Sequence, residues 1–337
     1  MSHRSQRMII NRRQLAVMLA GAVAAVRPAF AQPLRKISFQ QSWLSGVQYS
    51  GLYLAQADGL FGAKGIDVEF MPGGPNVDGT LNVVTGKAML GDRPTDILIT
   101  ARGKGMPIKV IASMYQRSPM SVMSLRNKPI HSLKDMMGKT VAVSGGTRPI
   151  FQTLMKNAGL DPTSVNWVPV SPDPGALAAG QIDGLTGLDT NQGSVLRSRG
   201  LAIDALLLSD VGYHIYTGAI FTTEEFLKSN RAALVGFLQA AVAGHRAVLA
   251  NPARAAAITI EKFAAPGMSL DAAKLEAVAS LPYITDGGAM TERLLWVDPA
   301  KIEAAIKVHV DNGAIAKGYA ASELIDNSLI AEAYKST

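Results

Sequence analysis

From residue 37 onward, short apolar runs of strand length alternate with stretches whose apolar residues recur at helical spacing. Ile37-Ser-Phe-Gln-Gln reads as a strand, Val47 to Phe61 as a helix closed by Gly62, and Ile66-Asp-Val-Glu-Phe as a strand alternating apolar and acidic side chains. Val77 to Gly86 predicts a helix, Ala88-Met-Leu a short strand, Thr95 to Arg102 a helix, and Ile108 to Met114 a strand. This β-α-β-α order implies a mostly parallel sheet covered by helices. The pattern then restarts. Ser121 to Leu125 is a strand, Ser132 to Met137 a short helix, and Thr140-Val-Ala-Val-Ser a buried strand. A helix to Asn157, the strand Val165 to Val170, a helix near Gly175 to Ala179 and the strand Ile182 to Thr186 follow, with one more strand at Tyr216 to Phe221. Beyond Glu224 the pattern is helical: Ala232 to Leu249, Pro252 to Phe263, Leu270 to Leu281 and Pro299 to Asn312.

Two similar α/β units and a helical tail predict an α/β fold of two lobes, each a mostly parallel sheet flanked by helices. The expected crossovers are Tyr115 to Ser121 and Tyr213 to Gly218, with the tail returning to cover the first lobe. Lobe one is then 32–118 with 217–337, and lobe two is 119–216. Open α/β sheets bind ligands outside the carboxyl ends of their strands, so two facing lobes define one cleft.

The first 31 residues stand apart. Met1 to Arg13 holds four arginines and no acid, Leu15 to Val26 is a twelve-residue apolar run, and Ala29-Phe30-Ala31 is an A-x-A cleavage site. That is the pattern of an export signal leaving Gln32 as the new N-terminus, and the run is too short to span a bilayer. The pair Arg12-Arg13 keeps twin-arginine and ordinary export both open. Cleavage also changes the charge. It removes five of the 33 basic residues and none of the 26 acids, so the formal +7 falls to +2, with 28 bases against 26 acids. That balance gives no electrostatic support for nucleic-acid or membrane-surface binding. Cysteine is absent, which excludes disulfides, thiolate metal sites, a cysteine nucleophile and a lipid-bearing cysteine. These features predict a periplasmic protein.

Trp43 followed by Tyr49-Ser-Gly-Leu-Tyr-Leu-Ala-Gln-Ala-Asp-Gly-Leu-Phe-Gly-Ala-Lys-Gly-Ile-Asp-Val resembles the opening of substrate-binding proteins of ABC importers. It is similar to the branch that includes nitrate, sulfonate and thiamine-pyrimidine-precursor binders. Gly105-Met-Pro-Ile-Lys-Val-Ile-Ala, Tyr115-Gln-Arg-Ser-Pro, Leu133 to Val143 and Leu177-Ala-Ala-Gly-Gln-Ile-Asp-Gly continue the likeness in order. The resemblance implies a two-lobed periplasmic binding fold (type II-like) that closes on a small molecule and presents it to an inner-membrane permease, working as a monomer without cofactor or metal. Thiamine-pyrimidine synthases share the opening, but that family uses a cysteine-rich segment, an iron, a substrate histidine and a pyridoxal cofactor. A chain with no cysteine departs from that pattern.

Candidate contacts follow from position. Trp43 ends a strand, where an indole stacks on a planar ring or plugs the lobe edge. Tyr49 lies by the first turn of the next helix, whose backbone N–H groups attract acceptors; Tyr53, four residues on, reads as core. Asp92 follows a short strand, placed to accept an N–H of a heterocycle or to cap the helix after Pro94. Ser118 lies in the first crossover beside Gln116 and Arg117; Tyr213, His214 and Tyr216 crowd the second. Ser144-Gly145-Gly146-Thr147 joins a buried strand to a helix with Pro149 in its first turn, a turn that admits close backbone approach or has Thr147 as cap. It lacks the spacing of a nucleotide loop. Asp189 holds the corresponding turn after the Ile182 strand and reads equally as carboxylate contact or cap.

Catalysis has little basis here. The five histidines are scattered, without metalloprotease or deaminase spacing, and no G-x-S-x-G elbow occurs. The expected ligand is a thiamine-precursor pyrimidine or a related heterocycle such as a flavin. The alternative is a small oxyanion, nitrate or an alkyl sulfonate, which needs positive charge such as Arg117 or Arg148. A sensor-input lobe or a pyrimidine synthase-like enzyme is the third class.

Overall fold

The computed structural model describes residues 34–144, 147–286, 288 and 290–335. The expected export signal, residues 1–31, lies outside the described residues. In chain order the strands are β1 (Arg35–Gln40), β2 (Ile66–Met71), β3 (Leu90–Arg93), β4 (Ile108–Ser113), β5 (Met120–Leu125), β6 (Thr140–Val143), β7 (Asn166–Pro169), β8 (Gly184–Leu188), β9 (Ile203–Leu207) and β10 (Ala219–Thr223). They form two five-stranded sheets, β2-β1-β3-β10-β4 and β7-β6-β8-β5-β9. Helices α1 (Ser50–Ala57), α2 (Gly79–Val84) and α3 (Thr95–Gly103) connect strands of the first sheet. Helices α4 (Arg148–Asn157), α5 (Gly175–Ala178) and α6 (Ser194–Ser198) connect those of the second. The tail is α7 (Glu224–Ser229), α8 (Arg231–Ala250), α9 (Pro252–Lys262), α10 (Leu270–Ile284), α11 (Pro299–Asp311), α12 (Ala321–Leu324) and α13 (Ser328–Lys335).

Each sheet is mostly parallel, as expected, and mixed only by one reversed strand. In the first, β1 pairs parallel with β2 and β3, while β10 runs antiparallel to β3 and β4. In the second, β6 pairs parallel with β7 and β8, while β5 runs antiparallel to β8 and β9. The reason is topological. A strand arriving straight from the facing sheet enters at the carboxyl edge, so it must run against the strands already there. β5 enters the second sheet this way and β10 returns to the first.

Tail residues pack on both faces of the first sheet. Leu234, Phe237, Leu238, Ala241 and Leu329 join Ile37, Phe39, Leu52 and Tyr53 in one core. Val297, Ile302, Ala305 and Leu324 join Leu98, Val110 and Phe221 in the other. Helix α8 is long and apolar enough to cross a membrane, yet 67% of its apolar window is buried inside the protein, as befits a core helix. It crosses α1 closely: a Cβ on Gly244 would lie 1.9 Å from the Gly51 carbonyl oxygen. Only a missing side chain permits that approach.

Some elements differ from expectation. The helix expected over Val47 to Phe61 opens as a 3-10 turn at Val47–Tyr49 and stops at Ala57, where Gly59 (φ 69°) reverses the chain. The helix expected at Ser132 to Met137 is only a 3-10 turn, Lys134–Met136, ended by the extended Met137. Strand β9 and helices α6, α12 and α13 had no readable pattern. β9 is an edge strand held only by β5, and the three helices are short, none longer than eight residues.

Candidate functional site

The carboxyl edge of the first sheet is organised around Asp92. Pairing of Phe39 with Leu90 and Gln40 with Gly91 carries β1 and β3 side by side, so the residues just beyond meet. Asp92 accepts from the Ser42 N–H at 2.9 Å and from Ser42 Oγ at 2.6 Å. It does not cap the following helix, whose cap position is Pro94 with no side-chain bond. Burial pushes its carboxyl up to about 6, against the opposing effect of those Ser42 bonds.

The same edge fixes Trp43 at both backbone groups. Its N–H donates to Tyr49 Oη at 3.0 Å, and its carbonyl accepts from the Gly73 N–H at 3.0 Å. A Cβ on Gly73 would lie 2.1 Å from the Gln41 carbonyl, so the loop after β2 can lie on residues 41–43 only with glycine there. The Trp43 side chain itself is half-buried. Tyr49 is fully buried in the core, with its hydroxyl within 3.2 Å of Ser42 Oγ and holding the Trp43 backbone. That hydroxyl positions Trp43, and burial raises its pKa well above the ordinary tyrosine value. Tyr53 is core, stacked on Phe263 at 4.2 Å between ring centres.

A second group of the expected residues lies at the crossovers. Ser118 Oγ and Thr217 Oγ1 are 2.6 Å apart, tying one crossover to the other. Tyr213 sets its buried hydroxyl against the Asp96 carboxyl, and both groups are pushed up, chiefly by burial. Tyr216 Oη accepts the Asp298 N–H at 2.9 Å, and Lys301 Nζ sits 5.5 Å from its ring centre. With Gln116, Arg117 and Lys301, the residues Ser118, Tyr213 and Tyr216 line a cavity of about 460 Å³. Trp43 and Asp92 do not line it.

Ser144 and Thr147 bracket the turn into α4. Their hydroxyls are 2.7 Å apart and the Thr147 N–H donates to Ser144 Oγ at 3.3 Å, while Thr147 makes no side-chain capping bond. Gly145 and Gly146 lie outside the described residues. Asp189 is ion-paired with Arg197 Nη2 at 2.7 Å, and its N–H donates to the Pro119 carbonyl at 3.0 Å. Arg117 is exposed and lies 5.1 Å from the centre of the Tyr283 ring.

Sequence reasoning passed over Ser42, Gly73 and a buried carboxyl, Glu276. Glu276 is 2% exposed on α10 and accepts from Asn191 Nδ2, just beyond β8 of the second sheet, at 2.7 Å. The signal was readable: an acid in the stripe Ala273, Glu276, Ala277, Ser280, where helical spacing predicts only small or apolar side chains. Among the described residues, no group of three His, Cys, Asp or Glu side chains is placed to hold a metal ion.

Residues 47–255 match the family described as NMT1/THI5 like. A riboflavin-binding protein of Chloroflexus aurantiacus is 26% identical over 250 residues, 72% of this chain and 70% of that one. A formylaminopyrimidine-binding protein of Halalkalibacterium halodurans is 26% identical over 245 residues, covering 71% and 74%. The solved structure of the periplasmic aliphatic sulphonate binding protein of Escherichia coli superposes with a TM-score of 0.62 at 16% identity, over 87% of this chain and 92% of that one. With more than half of its length matched, the chain belongs to the NMT1/THI5-like family, built on the two-lobed α/β fold of ABC-importer substrate-binding proteins.

Proposed function

We propose that this chain is the periplasmic solute-binding component of an ABC importer, closing two lobes over a small planar nitrogen heterocycle and releasing it unchanged to a membrane permease. The observation that carries the ligand class is Trp43. Its backbone is fixed at N–H and carbonyl alike, while its half-buried indole stands at the carboxyl edge of β1. An indole on a backbone fixed in this way stacks on a planar ligand at reduced entropic cost. The names of the riboflavin-binding and formylaminopyrimidine-binding relatives support the same class. A thiamine-precursor pyrimidine or a flavin fits this reading.

The oxyanion reading draws on the likeness to the sulphonate binder and on positive charge. Of the two cations that this reading uses, Arg117 lies over Tyr283, while Arg148 is exposed at the start of α4 beside Thr147. The buried Asp92 carboxyl at the same edge as Trp43 is better suited to a neutral ligand than to an anion. The test is native mass spectrometry of protein purified from its own host, then denaturation and identification of the released molecule. A recovered heterocycle supports the reading; a recovered sulfonate or nitrate overturns it, and a chemically altered ligand points to an enzyme.

A further inference from the structure

Helix α10 does more than cover the first lobe. Its residues Glu276 and Ser280 face a polar group formed with Gln48, in the turn before α1, Tyr115 at the end of β4, and Thr190, Asn191 and Ser194 beyond β8. The group spans both lobes, because Asn191 and Glu276 come from opposite sides. Gln48 Nε2 and Ser194 Oγ are buried without a hydrogen-bond partner, and Glu276 Oε1 and Thr190 Oγ1 have at most the Gln48 backbone and the Tyr115 hydroxyl beside them. Glu276, Thr190 and Ser194 are 2%, 0% and 1% exposed. Thr190 and Ser194 are four residues apart along one helical stretch and so share a face.

Buried polar atoms are nearly always paired, and leaving them unpaired is destabilising. Buried polar atoms left this poorly paired call for a partner from outside the chain. The set has a chemical signature: a carboxyl oxygen, an amide N–H donor and two hydroxyls that serve either way. That combination complements an edge carrying both N–H and acceptor atoms, as ring amidines and imides do.

We propose that this group receives the hydrogen-bonding edge of the ligand, with Glu276 Oε1 accepting a ring amino or imide N–H, so that the tail helix supplies the specificity-determining carboxyl. The assignment rests on the heterocycle reading above and adds the feature of the ring that is recognised. Burial, which holds the Glu276 carboxyl up at about 8, agrees with a group that has no cation beside it.

The experiment is calorimetric titration of the full chain with 4-amino-2-methylpyrimidine and with its 4-oxo counterpart, in wild type, Glu276→Gln and Asn191→Ala. Glu276→Gln keeps the volume and an acceptor for Asn191 while turning an N–H donor toward the ligand. The expected result is a wild-type preference for the amino ring that drops roughly tenfold in Glu276→Gln. Asn191→Ala should weaken both rings by the same factor, since it removes only the link between lobes. An unchanged preference in Glu276→Gln overturns the assignment, as does equal loss for both rings, the mark of a purely structural link. Binding of neither ring overturns it too. A sulfonate or nitrate recovered from the native protein is the separate result that would sink the heterocycle reading itself.

Discussion

Asp92 holds Ser42 by both of its donors, backbone N–H at 2.9 Å and Oγ at 2.6 Å, across the gap between two neighbouring parallel strands. This contact sets the path of the chain into Trp43, so a carboxyl that read equally as ligand contact or helix cap also shapes the loop carrying the ring. Asp92→Ala leaves the part-buried Ser42 N–H without its acceptor and should cost about 1–3 kcal/mol of stability. Ser42→Ala should cost less, because the N–H bond survives. Urea denaturation of the two variants checks the order; a larger loss in Ser42→Ala would refute this account of the loop.

Trp43→Ala removes the stacking surface but touches little of the core. Affinity for the heterocycle recovered from the native protein should weaken by roughly 1–3 kcal/mol, with the melting temperature nearly unchanged. Calorimetry and a thermal melt separate the two effects. A variant that loses stability but keeps affinity would return Trp43 to the role of an edge plug.

Two glycines should behave differently when changed to alanine. Gly244→Ala forces a methyl to within 1.9 Å of the Gly51 carbonyl at the α1–α8 crossing, and should destabilise by about 1–3 kcal/mol as an overpacked core does. Gly73→Ala strikes the Gln41 carbonyl instead and displaces the loop that fixes Trp43. It should therefore lose ligand affinity out of proportion to stability. Equal effects on affinity at equal destabilisation would show that the loop has no special part in binding.

Stability should depend on pH through the two buried carboxyls. Burial raises Asp92 from 3.8 to about 6 and Glu276 from 4.5 to about 8. Each binds its proton more tightly folded than unfolded. The stabilising contribution is therefore complete below the ordinary carboxylate values and is lost as pH rises through 6 for Asp92 and 8 for Glu276. Glu276→Gln cannot titrate, so ligand-free wild type should lose melting temperature relative to it between pH 5 and about 9. Parallel curves would show that Glu276 is not held in a desolvating environment.

Much of the architecture was readable because it rests on local rules. The strand Ile66–Met71 shows the alternation of a half-buried strand, and α8 and α9 start and stop within a residue or two of their expected ends. Proline at the first turns of α9 and α11 marks those starts directly. The direction of β5 and β10 was not readable in this way. Strand direction depends on which edge the chain enters, and that is settled by the facing lobe.

The candidate site divides along the same line. Trp43, Asp92 and Ser118 were recognisable as residues at strand ends and crossovers, which is a matter of order along the chain. What each polar group bonds was not: Asp92 meets Ser42 across 50 residues, Ser118 meets Thr217 across 99, and Asn191 meets Glu276 across 85. Apolar periodicity and turn residues are properties of neighbours in sequence, so the chain alone determined a two-lobed α/β protein with a helical tail. Hydrogen bonds between distant strands and helices depend on how the sheets are ordered and faced. Only the tertiary structure therefore decided that Tyr49 supports Trp43 and that a tail carboxyl reaches the second lobe.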